Sequence, residues 1–113
     1  MNKANVFVTQ LPSRHAGNGQ YVPTLDVTPA REFGELIFVL PQGMSFPTGA
    51  LLSDALHKGL APFRPEVDFL LPLGDPAAMT AAGAVIAAAG AVTFNVLRWD
   101  RHTSRYCKLI INL

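Results

Sequence analysis

Two runs of this chain are apolar without alternation. One is Leu36-Ile37-Phe38-Val39-Leu40. The other is Phe69-Leu70-Leu71, inside Asp68–Leu73. A strand with one wet face alternates, whereas an unbroken apolar run has cover on both faces. Both runs therefore read as buried strands covered on both faces, with Pro72 near the end of the second. Between them, Leu52, Ala55, Leu56 and Leu60 recur at helical spacing, and Asp54, His57 and Lys58 fall largely on the other side. After the second run, Asp75 can cap a helix with Pro76 as its first residue. Ala77–Ala89 continues it, Gly90 closes it, and Thr93–Trp99 returns as a strand. The unit from Glu35 to Trp99 is thus β-α-β-α-β, which requires parallel strands and right-handed crossovers.

The flanks read as hairpins. Asn5–Leu11 is a strand ended by Pro12, and Ser13–Gly19 is a turn rich in Gly and Asn. Gln20–Val27 returns as a second strand, at an edge or bulged because Pro23 cannot donate to a ladder. Thr28–Gly34 is a short helix, with Thr28 as cap and Gly34 as stop. At the other end, Tyr106–Leu113 pairs with Thr93–Trp99 across Asp100–Arg105. Cys107, Leu109, Ile111 and Leu113 share one of its faces. The expected fold class is α/β, bordering on α+β. It is a single mixed sheet of about six strands, with a central β-α-β-α-β unit and terminal β-hairpins, in one domain over residues 1–113.

Half of the residues are hydrophobic and 15% are charged, which excludes intrinsic disorder and leaves part of the exterior apolar. The net charge of +1 gives no global field toward nucleic acid or membrane. The single Cys107 forms no internal disulfide and builds no multi-cysteine zinc site. It reads as a structural thiol. His15, His57 and His102 are far apart in sequence and read as surface residues, so no metal and no cofactor is expected. Met1–Asn5 leads straight into Val6-Phe7-Val8, too short for a signal's apolar core. Ala77–Val92 is Ala- and Gly-rich and shorter than the roughly 20 apolar residues of a membrane span. A cytoplasmic protein without a membrane partner is the expectation.

Several stretches carry a resemblance. They are Val22-Pro23-Thr24-Leu25-Asp26, Pro29-Ala30 and Phe33-Gly34-Glu35-Leu36, then Gly74-Asp75-Pro76 before the Ala-rich helix, and Leu97-Arg98-Trp99-Asp100-Arg101 before the closing strand. From about Gln20 onward the chain resembles a family of small proteins encoded by tailed bacteriophages. The resemblance implies a phage accessory or early gene product acting in the host cell cytoplasm. It implies no activity and no catalytic residue.

Three surfaces can carry function. Gly74, Asp75 and Pro76 lie where open α/β sheets bind ligands and where helix amides attract anions. Yet Asp75 puts a carboxylate where a phosphate would sit, and a plain N-cap explains the same residues. The Ala-rich helix has almost no polar face. It is buried in the monomer or shared with a second copy, with Ala78, Ala82, Val85 and Ile86 as candidate contacts in a homo-oligomer. The C-terminal hairpin gathers Arg98, Arg101, Arg105 and Lys108 around Trp99 and Tyr106. Arg forks bind phosphates and carboxylates, and aromatics supply flat anchors. The plainer reading is a charged turn that deters edge pairing. The leading expectation is a non-enzymatic module that binds a macromolecule, protein or nucleic acid, the latter not favoured by the net charge. The alternatives are a nucleotide or phosphate site at loops 41–49 and 74–76, and a structural homo-oligomer.

Overall fold

The computed structural model describes residues 3–113. Its elements are β1 (Asn5–Gln10), β2 (Ser13–His15), β3 (Tyr21–Pro23), a 3-10 helix (Thr28–Glu32), β4 (Glu35–Leu40), α1 (Gly49–Leu60), β5 (Phe69–Leu71), α2 (Pro76–Ala88), β6 (Thr93–Asp100) and β7 (Arg105–Asn112). The main sheet has five strands in the order β4-β1-β5-β6-β7. β4, β1, β5 and β6 run parallel, and β7 pairs antiparallel with β6 along its full length. This is the mixed α/β sheet expected, and its parallel part is wound on both faces. α1 and α2 cover one face, packing over Phe7, Leu70 and Phe94. The 3-10 helix and its flanking coil cover the other, over Val6, Val8, Leu71 and Leu97.

The first hairpin departs from expectation. Gln20–Val27 does not pair with β1. β1 lies inside the main sheet between β4 and β5, because Val6, Phe7, Val8 and Thr9 are all fully buried and need cover on both faces. Only β2 and β3 form a hairpin, a separate two-stranded sheet of three residues a side. The main sheet thus has five strands rather than about six, and only its C-terminal end is extended by a hairpin. β4 is also not covered on both faces along its length. It is an edge strand, and Phe38 is 49% exposed. In the short helix Val27, not Thr28, takes the cap position. Asp26 Oδ1 accepts the Thr28 N–H at 2.9 Å. Gly34 is needed for a close approach: a Cβ there would lie 2.3 Å from the Ala4 carbonyl oxygen.

Asp68 anchors the amino ends of the parallel strands. Its side chain is wholly buried and collects four donors. The Asn5 N–H reaches Oδ1 at 2.9 Å, and Arg64 donates its backbone N–H (2.8 Å), Nε (3.2 Å) and Nη2 (2.9 Å). Asn95 Nδ2 donates to the Asp68 carbonyl at 3.2 Å, which ties in β6. A buried charge tolerates desolvation only when paired and hydrogen-bonded in this way. No helix among the described residues is long and apolar enough to cross a membrane.

Candidate functional site

At the carboxyl ends of β1 and β5, where a doubly wound sheet ordinarily leaves a ligand crevice, the chain fills the space itself. The Thr9 hydroxyl accepts the Leu73 N–H at 2.7 Å and donates to the Leu73 carbonyl. Gln10 Nε2 donates to the carbonyls of Pro41 (2.9 Å) and Met44 (2.7 Å), pinning the first half of loop 41–49. Gly74, at φ +88°, lies against Gln10, and a Cβ there would stand 2.9 Å from the Gln10 carbonyl oxygen. Asp75 Oδ1 accepts the Ala77 N–H at 3.0 Å, and Pro76 follows as the first helical residue. Gly74, Asp75 and Pro76 thus form a helix start whose leading amide is already capped.

On α2, the residues expected as oligomer contacts are Ala78, Ala82, Val85 and Ile86. All four are buried in this chain's own core against α1 and the sheet, so they have no surface to offer a second copy. The accessible side of the helix is Ala77, Thr80, Ala84 and Ala88. A helix apolar all round gives no pattern from which the sequence can tell these four residues from the accessible side.

The basic hairpin is assembled, with its members divided. Trp99 pairs across the ladder with Tyr106, and their rings meet edge-to-face at 5.0 Å. Arg98 pairs with Cys107 and points to the opposite face. Asp100 locks the turn, accepting the His102 N–H at 2.9 Å and the Thr103 hydroxyl at 3.0 Å. These bonds hold its carboxyl below the usual carboxylate range. Arg105 is engaged with Glu32 at 2.8 Å. Arg98, Arg101 and Lys108 are exposed and in no ion pair among the described residues. The half-buried Cys107 and the histidines, in β2, α1 and the turn, lie apart from one another. Of the face expected for β7, Cys107, Leu109 and Ile111 are half-buried and Leu113 is exposed. Tyr106, on the other alternation, is the buried residue.

Beside this hairpin lies a cleft of about 560 Å³ that sequence reasoning did not identify. Its walls are mainly apolar: Leu25, Leu71, Leu73, Leu97, Trp99 and Tyr106. Its origin is Pro72. β5 pairs with β6 only through Phe69–Asn95 and Leu70–Val96. Pro72 has no N–H with which to carry the ladder on, and Leu73 turns instead toward Thr9 of β1. Beyond Val96, β6 therefore keeps β7 on one side and has no strand partner on the other, and Tyr106 and Leu109 of β7 also reach the cleft. Both alternations of β6, Val96 and Arg98 with Leu97 and Trp99, line the space. The thin cover of this sheet face, a 3-10 helix where a longer helix could lie, leaves Leu25 and Trp99 partly exposed at its mouth. The signals available in the sequence were Pro72 and the aromatic pair, but only the fold brings them together.

Besides the charge of Arg98, two groups in the cleft have shifted ionisation. Hydrogen bonding from Thr28, first through its side chain and then its backbone, keeps Asp26 below the usual carboxylate range. Burial, and then the negative charge of Asp26, push the Tyr106 hydroxyl above the ordinary phenol range. The unfolded chain ionises this tyrosine near pH ~10. Folding therefore favours the neutral phenol, and this contribution is intact below that pH and is lost as pH rises through the higher folded value. Tm should fall as pH rises above about 10, and Tyr106→Phe should flatten that fall. An unchanged alkaline slope in the variant would place the loss elsewhere.

Residues 4–113 match the family model described as phage Pam3 gp32-like protein. The chain belongs to this family. The match confirms the bacteriophage resemblance and extends it through the N-terminal strand. No curated protein and no solved structure matches the chain. For this phage Pam3 gp32-like chain, the case for a function rests on the chemistry of the cleft.

Proposed function

We propose that the protein is a non-enzymatic binding module, a phage accessory protein that holds a macromolecular partner in the cleft beside β6. The observation that carries this reading is an apolar cleft of about 560 Å³ with a basic hairpin at its lip. Its walls supply contact area: leucines, the exposed edge of Trp99, and a neutral Tyr106. Arg98 and Arg101 supply charge at the rim, where it steers encounter more than it adds affinity. Trp, Tyr and Arg are the residue types that dominate binding energy at interfaces.

The test is capture from a lysate of phage-infected bacteria, with the wild-type chain and the Arg101→Ala/Arg105→Ala double variant as parallel baits. The Arg105–Glu32 pair is exposed on both sides, so its loss should cost no more than about 1 kcal/mol of stability. Circular dichroism should show a folded variant. The expected result is a partner that the variant binds more weakly, mainly through slower association at low salt. Equal affinity would return the hairpin tip to the role of a charged turn. A thermal-shift screen with nucleotides addresses the small-ligand alternative, because a ligand that binds only the folded state raises Tm.

A further inference from the structure

We infer that the cleft is a strand-addition site, in which an extended peptide segment of a partner lies beside β6 in the position β5 vacates after Leu71. This rests on the binding-module reading and names the partner's form. The cleft adjoins the edge of a strand in addition to a sheet face. β6 continues to Asp100, while its pairing with β5 stops at Val96. Side chains from both alternations of β6 and of β7 border the space, so it is open to both faces of the sheet, and the lining by Leu71, Pro72 and Leu73 puts it where the β5–β6 pairing has ended. A strand edge offers backbone donors and acceptors that an extended chain can pair with, while pockets for alternate side chains give specificity.

The two sides of the cleft differ in chemistry. Leu71, Leu97, Trp99 and Tyr106 form one side, with the Asp26 carboxylate near them. That side takes apolar side chains and repels acidic ones. Arg98 lies on the other side and forms no ion pair among the described residues, so it favours a carboxylate there. The segment that fits alternates apolar and acidic residues. A nucleic acid strand would bring phosphates against Asp26, and the chain's net charge of +1 gives it little general attraction.

The experiment pans displayed libraries of short random peptides against the whole chain. Selected peptides are then titrated while the emission of Trp99, the sole tryptophan, is followed. The expected peptides alternate apolar and acidic residues and change this emission. N-methylating a single amide on one peptide edge should weaken binding about tenfold, the cost of one lost hydrogen bond, and methylating an amide on the other edge should leave it unchanged. Arg98→Glu should shift selection from acidic to basic residues. Peptides insensitive to methylation on both edges would overturn strand addition. So would a library that yields no peptide acting on Trp99, or a single-stranded oligonucleotide that occupies the cleft in its place. In those cases a partner captured from lysate and lost on Trp99→Ala would leave the binding-module reading standing, and failure of capture as well would remove both.

Discussion

Asp68→Ala should destabilise the fold by about 3–5 kcal/mol, the usual loss when one member of a buried ion pair is removed. The carboxylate is wholly buried and holds four donors, three of them from Arg64 and one from the start of β1. Alanine leaves the Asn5 N–H without its acceptor and removes the counter-charge of Arg64, whose side chain is about one-third exposed. Total stability of a small domain is about 5–15 kcal/mol, so this single change removes a large part of it. Asp68→Asn keeps the shape, loses the charge, and turns one acceptor into a donor facing donors. It should therefore recover little. Urea unfolding with an unchanged m-value would read the difference as stability. A loss below about 1 kcal/mol, the level of an exposed pair, would mean that Asp68 is not the anchor described.

Trp99→Ala should weaken partner binding by at least about 2 kcal/mol, or roughly thirtyfold, as truncation of a central aromatic contact does. Its cost to stability should be much smaller. Trp99 is 44% exposed, and its main aromatic contact is the edge of Tyr106, a type of pair worth about 0.5–1.5 kcal/mol. Val92 is the control. At 75% exposure it is more exposed than Trp99, but it lies outside the cleft. Val92→Ser should leave both affinity and fold unchanged. Equal losses at the two positions would point to general apolar stickiness.

What the sequence made legible and what it hid follow from the range of the interactions. The parallel unit was readable because its punctuation is local: Asp75 caps α2 within two residues, Pro76 follows it, and Gly90 takes a positive φ just past the end. The partner of β1 was not readable. Its pairing with β4 and β5 spans 30 and 63 residues, respectively, and the nearer Gln20–Val27 segment competed for it on sequence grounds. The run Leu36–Leu40 marks a strand correctly but overstates its cover, since an edge strand can be as apolar as a central one when one side rests on a helix. Asp68 carried no local mark of an anchor. One donor comes from Asn5, and Arg64 becomes its partner only because the intervening turn folds back. The hairpin was visible as a charge cluster, whereas the cleft depends on what Pro72 does to pairing between two distant strands.

The most direct measurement of the central claim is Trp99 emission during titration of the captured partner into the wild-type chain. The cleft holds this chain's only tryptophan, so the signal, with the partner's own emission subtracted, reports on this site. The account predicts a saturable change in intensity and wavelength at the same concentrations that give binding by an independent method, with affinity lost in Trp99→Ala. A partner that binds with full affinity while the emission stays unchanged, and that binds Trp99→Ala equally well, would contradict the account.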